Sequence, residues 1–230
     1  MRKTIRRRHD AHARASSVCN DHSAIFDATP GGQKTRTALA TYVEDVDRLM
    51  AVQERSNEDR RAAMEQVRAG RLALRAAATA VAKVGKLVNL DETTMATMQV
   101  PGRVSDDELL AYTRGLLDRV AGHADAFVAE GLPPDLLKHL EDGVPRLAAA
   151  KEQYAAARQR FAGALEAIRE AQAKSETTID ALEAIAANTA AATPDMLKEL
   201  RMARRIGPHV GAAATEPPAP PHTTPADKAA

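Results

Sequence analysis

Four side chains able to bind a soft metal ion fall close together near the start of the chain, as His9-x-x-His12 and Cys19-x-x-His22. Imidazole nitrogen and thiolate sulfur are the usual donors to tetrahedral zinc, at about 2.0–2.3 Å. The spacing opposes a shared ion. On one helix His12 and Cys19 stand roughly 10 Å apart along the axis, at 1.5 Å per residue. The helix would have to break between the two pairs for one ion to reach all four. The segment therefore reads as surface histidines on a basic helix, and no metal is expected.

Other chemistries have less to work with. Cys19 is the lone cysteine, and it lies among basic residues with no partner base in reach of its own segment. The chain contains no Gly-x-Ser-x-Gly, no Walker loop and no Gly-x-Gly-x-x-Gly, so neither a nucleophile elbow nor a phosphate-cradling loop is present. A carboxylate-bridged metal bundle would need Glu-x-x-His pairs on facing helices, and the sequence has none. His123 stands alone, and Asp135 with His139 is a simple i, i+4 pair. The expectation is a non-catalytic protein with no cofactor and no catalytic or metal-binding residue.

The one charged cluster is basic. Arg2, Lys3, Arg6, Arg7, Arg8 and Arg14 concentrate positive charge at the start of a chain whose formal net charge is only +1. Such a cluster could contact the phosphates of a nucleic acid or another anionic polymer. Aromatic side chains that stack on bases are scarce, at 3% of residues with no Trp, so nucleic acid is the alternative reading.

The elements that carry these residues are helical. Hydrophobic residues make up 44% of the chain, and alanine supplies much of that share. Alanine is the strongest helix former, and close-packed helices suit it better than a sheet does. A lone cysteine excludes a cystine scaffold and points to a reducing compartment. No apolar run of signal-peptide length follows the basic start, and no stretch of ~18 apolar residues exists to span a membrane. A cytoplasmic location is expected.

Along the chain, a first helix is expected over about 3–25, closed by the Thr29-Pro30-Gly31-Gly32 break. Leu39, Tyr42, Val43, Val46, Leu49 and Met50 recur at three- and four-residue spacing and predict a second helix. Ser56-Asn57-Glu58-Asp59 permits a fresh N-terminus there or a continuous run. A third segment to about 89 puts Met64, Val67, Leu74, Ala78, Val81, Val84 and Val88 on one face. Residues 90–104 have no helical period and read as a connection. Ser105 and Glu108 match the capping box and open a fourth helix to about Glu130, with Gly131 as its C-terminal cap.

The fifth helix opens at Pro133-Pro134. Its Leu140, Val144, Leu147, Lys151, Tyr154, Arg158, Phe161, Leu165, Ile168, Gln172, Ser175, Ile179, Leu182 and Ala186 alternate steps of four and three, as a heptad seam requires. Pro145 predicts a kink near Gly143, and a break near 174–177 is compatible with the composition. A short last helix begins at Pro194, and the Pro/Ala/Thr composition after Pro208 predicts a disordered tail over 209–230.

Arg6-Arg7-Arg8-His9-Asp10, the Gly31-Gly32 turn, Gly131-Leu132-Pro133 and the stretch from Asn188 through Pro194 to Ile206 resemble an uncharacterised family of bacterial all-helical proteins. Its members begin with a basic RRR-type helix and end in a Pro-rich tail. The resemblance implies a helical fold and a bacterial origin, and it carries no activity and no site residue. The sequence thus predicts an all-α, elongated bundle of five main helices plus a short C-terminal one over 1–208. The expected role is structural or protein-interacting, with the chain itself or another helical protein as partner.

Overall fold

The computed structural model describes residues 2–206 apart from Asn89 and Ala190, and omits the side chains of Arg2 and Glu92. The expected tail at 209–230 lies outside the described residues. Within them the chain is all-α, with helices α1 (Arg2–Asp21), α2 (Ser23–Asp27), α3 (Pro30–Val84), α4 (Glu92–Thr97), α5 (Asp106–Val120), α6 (Ala124–Ala129), α7 (Pro134–Ala187) and α8 (Pro194–Ala203). A 3₁₀ turn at Ala121–His123 separates α5 from α6. None of these helices is long and apolar enough to cross a membrane.

Several boundaries follow from local chemistry. Pro30 opens α3 because proline fits a first turn, where its missing N–H is not needed. Ser105 accepts from the Glu108 backbone N–H at 3.2 Å while a Glu108 carboxylate oxygen accepts from the Ser105 N–H at 2.7 Å, which is the expected capping box. Gly131 takes φ +91°, and the Leu132 and Gly131 N–H groups donate to the Phe127 and Val128 carbonyls. That pair of bonds closes α6 as a Schellman motif. Thr193 caps α8 by accepting from Met196 N.

The structure departs from the expected elements at several points, and the expected fourth helix to about Glu130 is divided at Ala121–His123 into α5 and α6. The first helix ends at Asp21, and a turn at His22 leads into the separate α2. The second and third segments form one 55-residue helix. Ser56 and Asn57 are buried inside it, so neither supplies the extended backbone that a new N-terminus needs. The connection after residue 90 holds α4, where the Asp91 side chain accepts from Thr94 N at 2.9 Å. α7 runs on through Pro145 and through 174–177 for 54 residues.

The described residues divide into two compact units, 2–46 with 171–206 and 47–170. α3 and α7 contribute to both and pack together within each. In the first unit the core gathers Ala15, Val18 and Cys19 of α1, Phe26 of α2, Leu39 of α3, Ile179, Leu182 and Ala186 of α7, and Met196 and Leu200 of α8. In the second, Leu74, Ala78 and Val81 of α3 pack with Leu109, Leu116 and Val120 of α5, Phe127 of α6, and Leu140 and Leu147 of α7.

The seven-residue repeat of α7 is read out in burial. Leu140, Val144 and Leu147 are buried, as are Ile168, Gln172, Ser175, Ile179, Leu182 and Ala186. Between them the pattern slips. Tyr154 and Phe161 are half-buried and Arg158 is exposed, while Ala150, Ala157, Ala164 and Ala171 turn inward. In that stretch α7 turns these four alanines inward and leaves Tyr154 and Phe161 only half-covered.

Candidate functional site

The basic N-terminal residues sit on α1 in different settings. Lys3, Arg6 and Arg8 are exposed and Arg7 is half-buried. Arg14 is committed elsewhere. Its Nε donates to the Ala203 carbonyl at 3.3 Å and its Nη2 to the Arg205 carbonyl at 3.0 Å. A guanidinium there satisfies carbonyls that the end of α8 leaves without helical partners, and it meets the negative end of the α8 dipole. Arg2 is the first residue of α1.

His9 and His12 are not the surface residues that the sequence suggests, since they are 7% and 6% exposed. They stand on the same face of α1 as Ala11, Ala15, Ser16 and Cys19, all of them buried. This helix packs through small and polar side chains, which is why its few large apolar residues gave little sign of a buried face. Burial holds the His12 imidazole below its usual pKa, against the opposing pull of the Glu176 charge. Its Nδ1 is buried with no hydrogen-bond partner among the described residues.

Cys19 is buried completely, and desolvation pushes its thiol up to about 12. A thiol so placed stays protonated, and the thiolate is the form that attacks or binds metal. No group of three or more His, Cys, Asp or Glu among the described residues is arranged to hold a metal ion. His22 instead lies 3.3 Å from Glu199 of α8.

α8 is fastened to its unit by charge as well as by Met196 and Leu200. Arg201 Nε pairs with a Glu183 carboxylate oxygen at 2.5 Å. Arg204 reaches Asp180 at 2.7 Å and Glu183 at 2.9 Å. The hydrogen bond from Arg201, aided by Arg204, holds the Glu183 carboxyl below the usual carboxylate range.

The second unit carries a groove of about 650 Å³ between α3 and α7, beside the start of α5. Met64 and Val67 of α3 and Tyr154, Ala155, Arg158 and Ala162 of α7 line it. Met64 was placed on the buried face by its spacing, yet it is 48% exposed. Two ion pairs close the α5 end, Arg71 with Asp106 at 3.1 Å and Lys151 with Asp107. Lys151 therefore does what its seam position allows, burying its stem and meeting a carboxylate at the rim. The Arg60 guanidinium of α3 lies over the Phe161 ring of α7, 5.4 Å from its centre, a cation–π contact between the two helices.

The groove exists because α5 covers the α3–α7 pair only as far as Asp106. Among the described residues the groove is lined by α3, α7 and the first residue of α5 alone. Met64, Val67, Tyr154, Ala155 and Ala162 make its walls apolar, and its rim carries Asp106 and Lys151, each already ion-paired, with Gln159 and Arg158, so that Arg158 is the rim charge left to meet an acidic flank of a docked helix. Nothing in the sequence announced it, since the period of α7 is the same where it is covered and where it is open. No protein-family model, curated protein or solved structure matches the chain.

Proposed function

We propose that this chain is a non-catalytic helical module that works by docking helices of a partner protein. The observation that carries the reading is the open seam at Met64, Val67, Tyr154 and Ala155, where the apolar repeat of two long helices continues uncovered. Contiguous exposed apolar surface rimmed by charge marks interaction sites. The burial and protonation of Cys19 support the same reading, because they leave the one thiol chemically quiet. The seven-residue spacing of α3 and α7 supports coiled-coil packing. The lone cysteine supports a cytoplasmic setting, and the resemblance of the Arg6-Arg7-Arg8 helix supports a bacterial one.

The test is an environment-sensitive dye on Ala155→Cys in a Cys19→Ser background, titrated with amphipathic helical peptides that carry acidic flanks. A saturable blue shift that disappears with Met64→Glu supports docking in this groove. Peptides that never saturate, or that bind Met64→Glu equally well, overturn it.

A second reading, contact with an anionic polymer, is favoured by the exposure of Lys3, Arg6 and Arg8 on α1. It predicts binding to a short DNA duplex that falls steeply with salt and is lost in the Arg6→Ala/Arg8→Ala variant. Salt-independent binding, or none at low salt, sinks it.

A further inference from the structure

A second apolar surface of the 47–170 unit lies apart from the Met64–Tyr154 groove. Ala69, Ala73, Ala76, Ala77 and Ala80 of α3 border it, facing Leu136, Gly143 and Arg146 of α7 across a groove of about 660 Å³. The two helices come close beneath it. A Cβ placed on Gly70 would lie 3.5 Å from Leu147 Cδ1, and one on Gly143 would lie 2.9 Å from Leu74 Cδ1. At its edge Leu72, flanked on α3 by Ala69 and Ala76 on one side and by Arg68 and Arg75 on the other, is left 61% exposed.

Along the outer edge of this surface, sharing Ala69 and Ala76 with it, runs the α3 row Glu65, Ala69, Leu72, Ala76, Thr79 and Lys83. Its steps of four and three give it a seven-residue repeat of its own, so it can run straight alongside another helix. Reversing the chain direction about position 74 maps the row onto itself. Leu72 then falls on Ala76, Ala69 on Thr79, and Glu65 on Lys83. Each large side chain meets a small one, and each charge meets its opposite, twice over. Glu65 and Lys83 are both exposed, and neither pairs with any described residue.

From this self-complementarity we infer that the surface is an interface with a second copy of the chain, α3 packing antiparallel on α3 about a two-fold axis at position 74. An isologous contact of this kind uses one patch on both partners and closes on itself. The row from Glu65 to Lys83 is about 27 Å long at 1.5 Å per residue. That length, with the Leu136 and Arg146 edge of α7, places the contact at the small end of specific interfaces. The dimer is accordingly concentration-dependent. The surface is distinct from the one lined by Met64 and Tyr154, so either can fail while the other holds.

The experiment is sedimentation velocity of the full chain from roughly 1 to 300 µM, a range in which a contact of modest area passes from monomer to dimer. The native chain is expected to shift to a dimer. Lys83→Glu and Glu65→Lys each set like charges against one another at two symmetry-related places and are expected to weaken the dimer about tenfold or more. The doubly reversed Glu65→Lys/Lys83→Glu chain restores both pairs and is expected to recover it. Far-UV circular dichroism confirms that the variants stay folded, as befits two exposed helix positions. A native chain that remains monomeric throughout overturns the inference. So does a dimer indifferent to both single reversals, or one that the double reversal does not rescue.

Discussion

Arg14 and Ala203 are separated by 189 residues and joined by a hydrogen bond of 3.3 Å from a guanidinium Nε to a backbone carbonyl. The same side chain holds the Arg205 carbonyl at 3.0 Å, so an arginine of α1 terminates α8. Arg14→Ala removes a charged donor from two carbonyls and from the negative end of a helix. It should lower unfolding free energy by about 1 kcal/mol, the usual net worth of such a bond. Urea unfolding with an unchanged m-value checks it, and an unaltered midpoint would show that water serves the α8 carbonyls equally well.

Two adjacent glycines should respond in opposite directions. A Cβ on Gly32 would come within 2.1 Å of the Phe26 carbonyl oxygen, while one on Gly31 meets nothing within 4 Å. Backbone cannot step aside as a side-chain tip can, so Gly32→Ala should destabilise by about 2–3 kcal/mol through overpacking. Gly31→Ala should stabilise by about 0.5–1 kcal/mol through helix propensity and a less free unfolded chain. Thermal melts of the pair decide it.

Acid should loosen the unit that holds α1 and α8 in two stages, the first at His12 of α1 and the second at the Glu183 pairs with Arg201 and Arg204. Burial depresses the His12 pKa, so between its unfolded value near 6.5 and its lower folded value the unfolded chain binds more protons. Stability therefore falls as pH drops below about 6.5 and levels off once the folded pKa is passed. Glu183, also depressed, contributes stability that is present above the ordinary carboxylate range and lost as pH falls through its folded pKa. In His12→Gln the upper stage should vanish and the lower one persist. An unchanged pH profile in that variant would exclude His12 as the source.

Cys19 should resist thiol reagents in the folded chain and react at the rate of a free thiol in denaturant. Its burial and a pKa of about 12 both withhold the thiolate. Rapid modification under native conditions would show that α1 opens readily, and the protection factor of the thiol would then measure that opening.

What could be read from the residues alone was local or periodic. The Ser105–Glu108 box, the proline starts at Pro134 and Pro194, and the positive φ at Gly131 each depend on a few neighbours in the chain, whereas Pro30-Gly31-Gly32, read as a turn, forms the first turn of α3. The seam of α7 at Leu140–Leu147 and at Ile168–Ala186 could be read because a period of seven holds one face inward wherever a neighbour exists. Helical class followed from alanine and from the absence of a strand-like pattern.

Tertiary structure decided everything that depends on how many neighbours surround a helix. Met64 and Tyr154 repeat the same period as buried residues on either side, yet they line a groove because α5 starts at Asp106 and covers no more. His9 and His12 look like surface residues on an Arg-rich helix, yet they are enclosed, because small side chains such as Ala11, Ala15 and Ser16 bury a helix face without adding the large apolar residues that pattern reading counts. Ser56 has the composition of a helix start, but continuous packing of α3 keeps it inside. A sequence period says which residues share a face. What covers that face is settled only where the distant segments meet.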